Sequence, residues 1–375
     1  MAYSAAMKHA IGAVRRSLTA LGIGVQDARF ARHGEHEPAP DAPLVLVACS
    51  GGRDSLALMA VADTACAAWG VRCGAVVVDH GMQPGSAETA ARAAAQCAAL
   101  GADPCVVRAV QVEERGQGAE AAARDARYAA LVDEARRLGA AAVLLAHTKD
   151  DQAESVLIDL IRSGGVDALA GMPPEQCVDG VRFVRPFLDV TRAATTSICE
   201  GLDLDWWDDP TNGDAFAGGE ALPAHFPLRS RIRHTLLPYL NAFAGRDMVA
   251  MLADGAAIAR RDVDYLDARA DDVFARTVTI AYDDDGAPHA YIDACALAAE
   301  DEALRFRVVA RTLSICAPGS GKRHVDAVEA LVSHWRGQQA VRLPRKRTAN
   351  RKKHVIEVCE DVTHANRRYR ERDRS

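Results

Sequence analysis

The segment Leu44-Val45-Leu46-Val47-Ala48-Cys49 is apolar without alternation, and it runs straight into Ser50-Gly51-Gly52-Arg53-Asp54-Ser55. An unbroken apolar run of this length predicts a strand buried on both faces, which a parallel sheet covered by helices provides. The same unit recurs downstream. Strands predicted over 73–78, 104–109 and 141–146 alternate with helices over 54–69, 86–100 and 120–138, and a further helix ends near Arg162. Alternation of this kind predicts an α/β fold: right-handed βαβ units in a doubly wound parallel sheet. Ligands in such sheets sit at the carboxyl ends of strands, where residues 50–55, Asp79, His80 and His147 all fall.

The residues after the first strand suit an anion. Adjacent glycines let the backbone approach a bulky group and adopt φ values that other residues avoid. Free N–H groups and the positive end of the following helix then face it, so Ser50, Gly51, Gly52, Arg53, Asp54 and Ser55 read as a phosphate cradle. A glycine turn in which Ser50 or Asp54 merely caps a helix is the plainer alternative. The Gly-x-x-x-x-Gly-Lys-[Ser/Thr] loop is excluded here, because no lysine opens the helix. Gly319-Ser320-Gly321-Lys322 fails the same pattern, with Arg323 in place of Ser or Thr, and reads as a loop.

At 375 residues the chain suggests two domains. An amphipathic helix over 7–21 precedes the first strand. From Gly245 onward a long helix over 248–276, a strand pair near 278–282 and 290–292, and helices reaching Trp335 make a second, mostly helical domain. The expected organisation is 1–240, 241–350 and a basic tail over 351–375. No apolar stretch reaches membrane-spanning length, and Lys8, Arg15 and Arg16 interrupt the N-terminus, so a cytoplasmic protein without membrane contact is expected. Ten cysteines lie singly with no Cys-x-x-Cys, which argues against a disulfide framework or a zinc site. The net charge of −6 by itself speaks against a nucleic-acid partner, yet residues 336–375 carry thirteen Lys and Arg against five Asp and Glu. That asymmetry suggests a basic arm for phosphates, or a solvated tail, beside an acidic body.

The fourth strand leads into His147-Thr148-Lys149-Asp150-Asp151-Gln152-Ala153-Glu154. On a helix His147 and Glu154 both align with Asp150 and Asp151, giving one face an imidazole and several carboxylates. Stacked like charges repel, so they call for a reason. They could hold Mg2+ with nucleotide phosphates, or bind and deprotonate an ammonium nucleophile; helix capping would account for Asp150 or Asp151 alone. Arg124 and Arg127, at i and i+3 of a helix start, could clamp a phosphate or simply pair with Glu120 and Asp125 on the surface.

Together these pieces resemble the N-type ATP pyrophosphatases of the PP-loop class, and within it the tRNA(Ile)-lysidine synthetases. The resemblance rests on Ser50 through Ser55, then Val78-Asp79-His80-Gly81-Met82 with Pro84 and Ser86. It continues through Ala123-Arg124-Asp125-Ala126-Arg127-Tyr128, the 146–154 segment, Leu160-Ile161-Arg162-Ser163-Gly164-Gly165 and Leu169-Ala170-Gly171-Met172. Arg185-Pro186-Phe187-Leu188, Asp208 and Asp209 with Asn212, and Arg229 through Arg233 complete it. The chain departs from the family pattern at Ser155 (usually Thr), at Ser163 (usually Gly), in an apparent insertion over 215–228, and in Leu343-Pro344-Arg345-Lys346-Arg347, where a more neutral Leu-Pro-Gly is usual.

The resemblance implies a two-step ligation on tRNA(Ile) with a CAU anticodon. ATP lies on the 50–55 loop with Mg2+ held through Asp54, and Asp79, His80 and Arg124 complete the nucleotide site. The wobble cytidine is adenylated at its C2 oxygen, and the ε-amine of L-lysine displaces AMP. Asp54, His147, Asp150, Asp151 and Glu154 are the candidate catalytic residues, while Arg229, Arg231 and Arg233 are candidates for the tRNA backbone. A tRNA thiolase or a small-molecule amide synthetase is the alternative, but paired cysteines are absent and an arginine-rich region is present. The sequence leaves the oligomeric state open, a homodimer included.

Overall fold

The computed structural model describes residues 3–31, 36–81, 85–112, 119–209, 212–213 and 221–361. Met82 and Pro84, Pro210 and Thr211, part of the expected insertion, and the tail from 362 onward therefore lie outside the described residues. Contacts divide the chain into Met1–Arg260 and Arg261–Ser375.

In the first unit, α1 (Ala5–Ala20) precedes β1 (Leu44–Cys49), α2 (Arg53–Ala67), β2 (Arg72–Asp79), α3 (Ser86–Ala99), β3 (Cys105–Ala109), α4 (Ala119–Leu138), β4 (Ala142–Leu144) and α5 (Lys149–Arg162). Then come the short α6 (Val166–Leu169), β5 (Glu175–Val178), β6 (Val181–Val184) and α7 (Arg192–Gly201). The unit ends with α8 (Leu228–Arg231), a π-helical turn over Ile232–Leu236, α9 (Leu237–Ala244) and the start of α10 (Met248–Thr277).

The sheet order is β3-β2-β1-β4-β6-β5, parallel except for the antiparallel β5–β6 pair. β1 is central because both of its faces are apolar. Val45, Val47 and Cys49 pack in one core with α1, α2 and α3, while Leu44 and Leu46 pack in another with Leu131, Val132 and Ala135 of α4. Leu46 is fully buried, and truncating such a side chain to alanine costs about 2–5 kcal/mol. β1 also pairs with β2 on one side and β4 on the other, so the strand order reverses there and a crevice opens at its carboxyl end.

Two expectations change in this unit. The segment Val184-Arg185-Pro186-Phe187-Leu188, which its composition would make a short extended piece, is instead the end of an antiparallel hairpin, β5–β6, followed by a 3-10 turn over Pro186–Asp189. The expected boundary at 240 also shifts, because α10 continues the first unit's contacts to Arg260.

In the second unit the remainder of α10, α11 (Ala294–Ala298), α12 (Glu302–Cys316) and α13 (Lys322–Ser333) supply most of the regular structure. They pack on a five-stranded antiparallel sheet, β7 (Val278–Tyr282), β8 (Pro288–Asp293), β9 (Val341–Leu343), β10 (Arg347–Lys352) and β11 (Val355–Glu360), in the order β7-β8-β11-β10-β9. Residues expected to begin a basic tail at 351 are instead the β10–β11 hairpin, whose buried Ile356 and Val358 join the core. Lys322 caps nothing phosphate-like: its Nζ pairs with Asp326 Oδ2 at 2.6 Å on α13.

Candidate active site

The turn from β1 into α2 is held by its own hydroxyls. Ser55 Oγ donates to the Gly52 carbonyl at 2.8 Å and accepts from the Ser50 N–H at 3.1 Å. Gly51 sits at φ +77°, and a Cβ there would lie 2.9 Å from the Ala93 Cβ of α3, so only glycine fits. Its carbonyl accepts from the Trp207 N–H at 3.0 Å, which ties the loop to the segment after α7. No side chain caps α2 at Gly52, leaving the helix N-terminus open to an anion.

Beside this loop opens a cavity of about 750 Å³. The loop, Asp79 and His80 at the end of β2, His147 after β4, Asp208, Asp209 and Asn212 all line it. Asp151 and Arg233 line it as well, which brings the second constellation into the same space.

That second constellation is an ion-pair knot. Thr148 caps α5 and donates through N–H and hydroxyl to Asp151 Oδ2 at 2.8 and 2.9 Å. Glu154 is fully buried and accepts from Arg233 at 2.7 and 3.1 Å, from Arg192 at 3.3 Å and from Arg229 at 3.4 Å. Arg192 also donates to Asp151 Oδ1 at 2.9 Å and lies 3.9 Å from both Asp150 and Asp54, linking the acids of α5 to the start of α2. Asp54 itself accepts from Thr195 Oγ1 and is 3.4 Å from Arg53 Nε. Among the described residues no group of three or more His, Cys, Asp and Glu is arranged to hold a metal ion, since guanidiniums occupy the carboxylates.

A PP-loop domain matches residues 27–240. The tRNA(Ile)-lysidine synthase of Bifidobacterium animalis subsp. lactis is 58% identical to this chain, and the match covers all of both proteins. The synthase of Bifidobacterium longum subsp. infantis is 51% identical over 98% of this chain and 100% of its own length. That of Streptomyces coelicolor is 44% identical over 83% and 84%. The chain belongs to the tRNA(Ile)-lysidine synthase family. It carries the family's PP-loop ATP-using domain, and no helix among the described residues is long and apolar enough to cross a membrane.

Within this family frame the residues singled out from sequence separate into groups. Ser50, Gly52, Arg53, Asp54, Ser55, Asp79, His80, His147 and Asp151 line one cavity, with Gly51 setting the loop's shape. Asp150 and Glu154 stand behind Asp151, bound to the backbone N–H of Arg192 at 2.8 Å and to the three arginines respectively. Arg124 does not line the cavity; it is exposed and lies over the Tyr128 ring at 5.0 Å. Arg127, one turn on and rotated by about 60° around α4, lines it instead. Arg229 and Arg233 are drawn inward to the carboxylates, and only Arg231 of that trio is exposed. Ser155, in place of the family's threonine, keeps a working hydroxyl that accepts from Arg229 at 3.1 Å.

Sequence reasoning missed Arg192, Thr195 and Trp207. Carboxylates stacked on one buried helix face demand cations, but Arg192, which opens α7 after a threonine cap, lies too far along the chain for spacing to pair it with them. Arg185, by contrast, is structural; it is buried and donates to the Pro173 carbonyl at 2.8 Å and to Gln176 at 2.9 Å, fastening the β5–β6 hairpin.

The field in the cavity follows from this packing. Burial opposes ionisation of Asp151, but Arg192, His147, the Thr148 N–H and Arg229 outweigh it and hold the carboxyl well below its usual range. Burial pushes His147 down to about 3, against a smaller pull from Asp151 and with help from Arg185, Arg229 and Arg127. The imidazole is therefore neutral at physiological pH, and its buried Nδ1 has no hydrogen-bond partner among the described residues. His80 is lowered too, by burial and then by Arg127.

A neutral buried histidine makes stability pH-dependent. Its folded pKa lies below the unfolded value of 6.5, so the unfolded chain binds the extra proton first and stability falls with acidification through the window from 6.5 to about 3. Urea unfolding of the wild type should lose about 2 kcal/mol more between pH 7.5 and pH 5 than His147→Asn does. Equal slopes for the two proteins would contradict a neutral buried imidazole.

Proposed function

We propose that this chain ligates L-lysine to C2 of the wobble cytidine in the CAU anticodon of tRNA(Ile), consuming ATP and releasing AMP and diphosphate, so that the codon read changes from AUG to AUA. One observation carries the reading: an open glycine-rich helix N-terminus and a buried carboxylate–arginine knot share a single cavity at the sheet's switch point. A thiolase has no use for such a knot, and the sequence holds no Cys-x-x-Cys for its sulfur chemistry.

The chemistry divides between the two halves. The glycine turn at Gly51 and Gly52 and the open α2 N-terminus hold the pyrophosphate, and Arg127 neutralises charge that builds up as the cytidine C2 oxygen attacks the α-phosphorus. Asp54 suits a Mg2+ ion, which takes one or two carboxylates plus phosphate oxygens and waters and would screen the phosphate charge when bound. Adenylation makes the ring oxygen a good leaving group. Asp151, which lines the cavity, then holds the lysine ammonium, while Glu154 behind it gathers Arg192, Arg229 and Arg233 and keeps the Asp151 carboxylate aimed. Asp150 is the most exposed of the three acids and receives hydrogen bonds on fewer sides, so it takes the proton that frees the amine. His147 lines the cavity as a neutral imidazole beside the base being modified. The reaction belongs in the cytoplasm, where tRNA and ATP are.

Incubation with ATP, labelled lysine and a CAU-anticodon isoleucine tRNA transcript tests this. Label should enter RNA only with ATP, and Asp54→Asn should abolish it. Arg127→Gln should weaken ATP use by at least 10-fold, and Arg124→Gln by less than 2-fold. No incorporation by an intact wild-type protein would overturn the function, and equal effects of the two arginines would overturn the phosphate assignment.

A further inference from the structure

The helical run that carries Arg229 and Arg233 into the cavity continues into α9, which presents two aromatic rings to solvent. Tyr239 is 62% exposed and Phe243 is 80% exposed. Phenylalanine is ordinarily among the most buried residues, so this exposure needs a reason. The two rings, at i and i+4, are stacked with centroids 6.1 Å apart and planes inclined by 19°. A base inserted between parallel rings needs roughly twice the ~3.4 Å spacing of stacked bases, a further opening of less than about 1 Å.

Charge completes the surface. Arg231 before the rings and Arg246 after them are exposed, and neither has a hydrogen-bond or ion-pair partner among the described residues. Exposed aromatics flanked by free guanidiniums form the composition that binds single-stranded nucleic acid, where bases stack and phosphates pair with cations. A duplex stem offers no free base faces to such rings; a loop does. Arg233, on the same run, lines the reaction cavity, so a loop whose target base enters the cavity brings its neighbouring bases to α9.

We propose that Tyr239 and Phe243 are a stacking platform for the anticodon-loop bases flanking the cytidine being modified. The inference rests on tRNA being the substrate.

The test titrates the full-length protein with the same isoleucine tRNA transcript carrying 2-aminopurine in its anticodon loop. Wild type should quench the probe. Tyr239→Ala and Phe243→Ala should each weaken binding about 5- to 100-fold and lose the quenching, with an unchanged dependence on salt. Phe243→Leu should fail as Phe243→Ala does, and Phe243→Trp should retain both signals. Arg231→Ala should instead reduce the salt slope by about one. Wild-type affinity and quenching in Phe243→Ala, or full function of Phe243→Leu, would overturn the platform. So would unchanged tRNA binding with a shift in sedimentation, which would make this face a contact between copies. A wild type that binds no transcript overturns the proposed function instead, whereas a wild type that modifies tRNA beside indifferent ring variants overturns only the platform.

Discussion

Glu154→Ala should lower the melting temperature by about 10 °C and abolish lysine transfer. The carboxylate is fully buried and meets Arg192, Arg229 and Arg233 at 2.7 to 3.4 Å, so its removal leaves guanidiniums in a desolvated site with too little negative charge. Breaking one side of a buried ion pair costs about 3–5 kcal/mol, and in a unit of this size each kcal/mol moves the midpoint by about 2–4 °C. Glu154→Gln keeps the shape and some hydrogen bonds while losing the charge. It should be milder in calorimetry yet still fail to transfer lysine, and with tRNA and ATP it should accumulate adenylated RNA and diphosphate. A Glu154→Gln enzyme with an ordinary KM for lysine would remove the knot from amine binding. One that releases no diphosphate would place Glu154 in the first step rather than the second.

Gly51→Ala should cut kcat/KM for ATP by about 100-fold or more. Two penalties act at once. At φ +77° an alanine is strained by about 1–2 kcal/mol, and its Cβ would sit 2.9 Å from that of Ala93. The loop must move away from α3, and displacing a phosphate cradle by about 1 Å is enough for a loss of this size. The neighbour that clashes is itself a single methyl group, so Ala93→Gly offers a way to separate the two effects. Combined with Gly51→Ala it should recover part of the ATP efficiency, the part owed to the clash, while the backbone strain remains. No rescue at all would assign the whole defect to backbone conformation. An active Gly51→Ala single variant would show that the loop is not held as described.

Much of the first unit could be read from the chain because its strands are buried on both faces and its helices end at glycines. β1 through β4 stand close to where continuous apolar runs put them. The β5–β6 hairpin escaped notice although Val178-Asp179-Gly180-Val181 carries the Asp-Gly signal of a tight turn, with both central residues at positive φ. β5 is only partly buried and the arginine at 182 interrupts the buried β6, so periodicity was weak there. β9, β10 and β11 were hidden for a different reason. Arg347, Arg351 and Lys352 lie in a strand with one wet face, and their charge reads as a solvated arm.

At the candidate site, motif spacing identified the right helices but not the direction of every side chain. Arg124 and Arg127 share a helix turn, and only packing against the sheet decides which one enters the cavity. Arg229 and Arg233 look like a phosphate grip in sequence; the buried acids of α5, distant in the chain, reclaim them. Arg192 went unread because its four acidic neighbours come from two other helices. Contacts between remote segments leave no local periodicity.

Asp150, Asp151 and Glu154 face Arg192, Arg229 and Arg233, so acids and bases cancel in that corner. A balanced corner has no surplus pull on a free cationic amino acid. Under the proposed function the imbalance would arrive with the nucleotide, whose phosphates would settle on the far side of Arg192 and compete for it with Asp54. Sequence of arrival would then follow from electroneutrality: the amine would be welcomed only once the anion is in its seat.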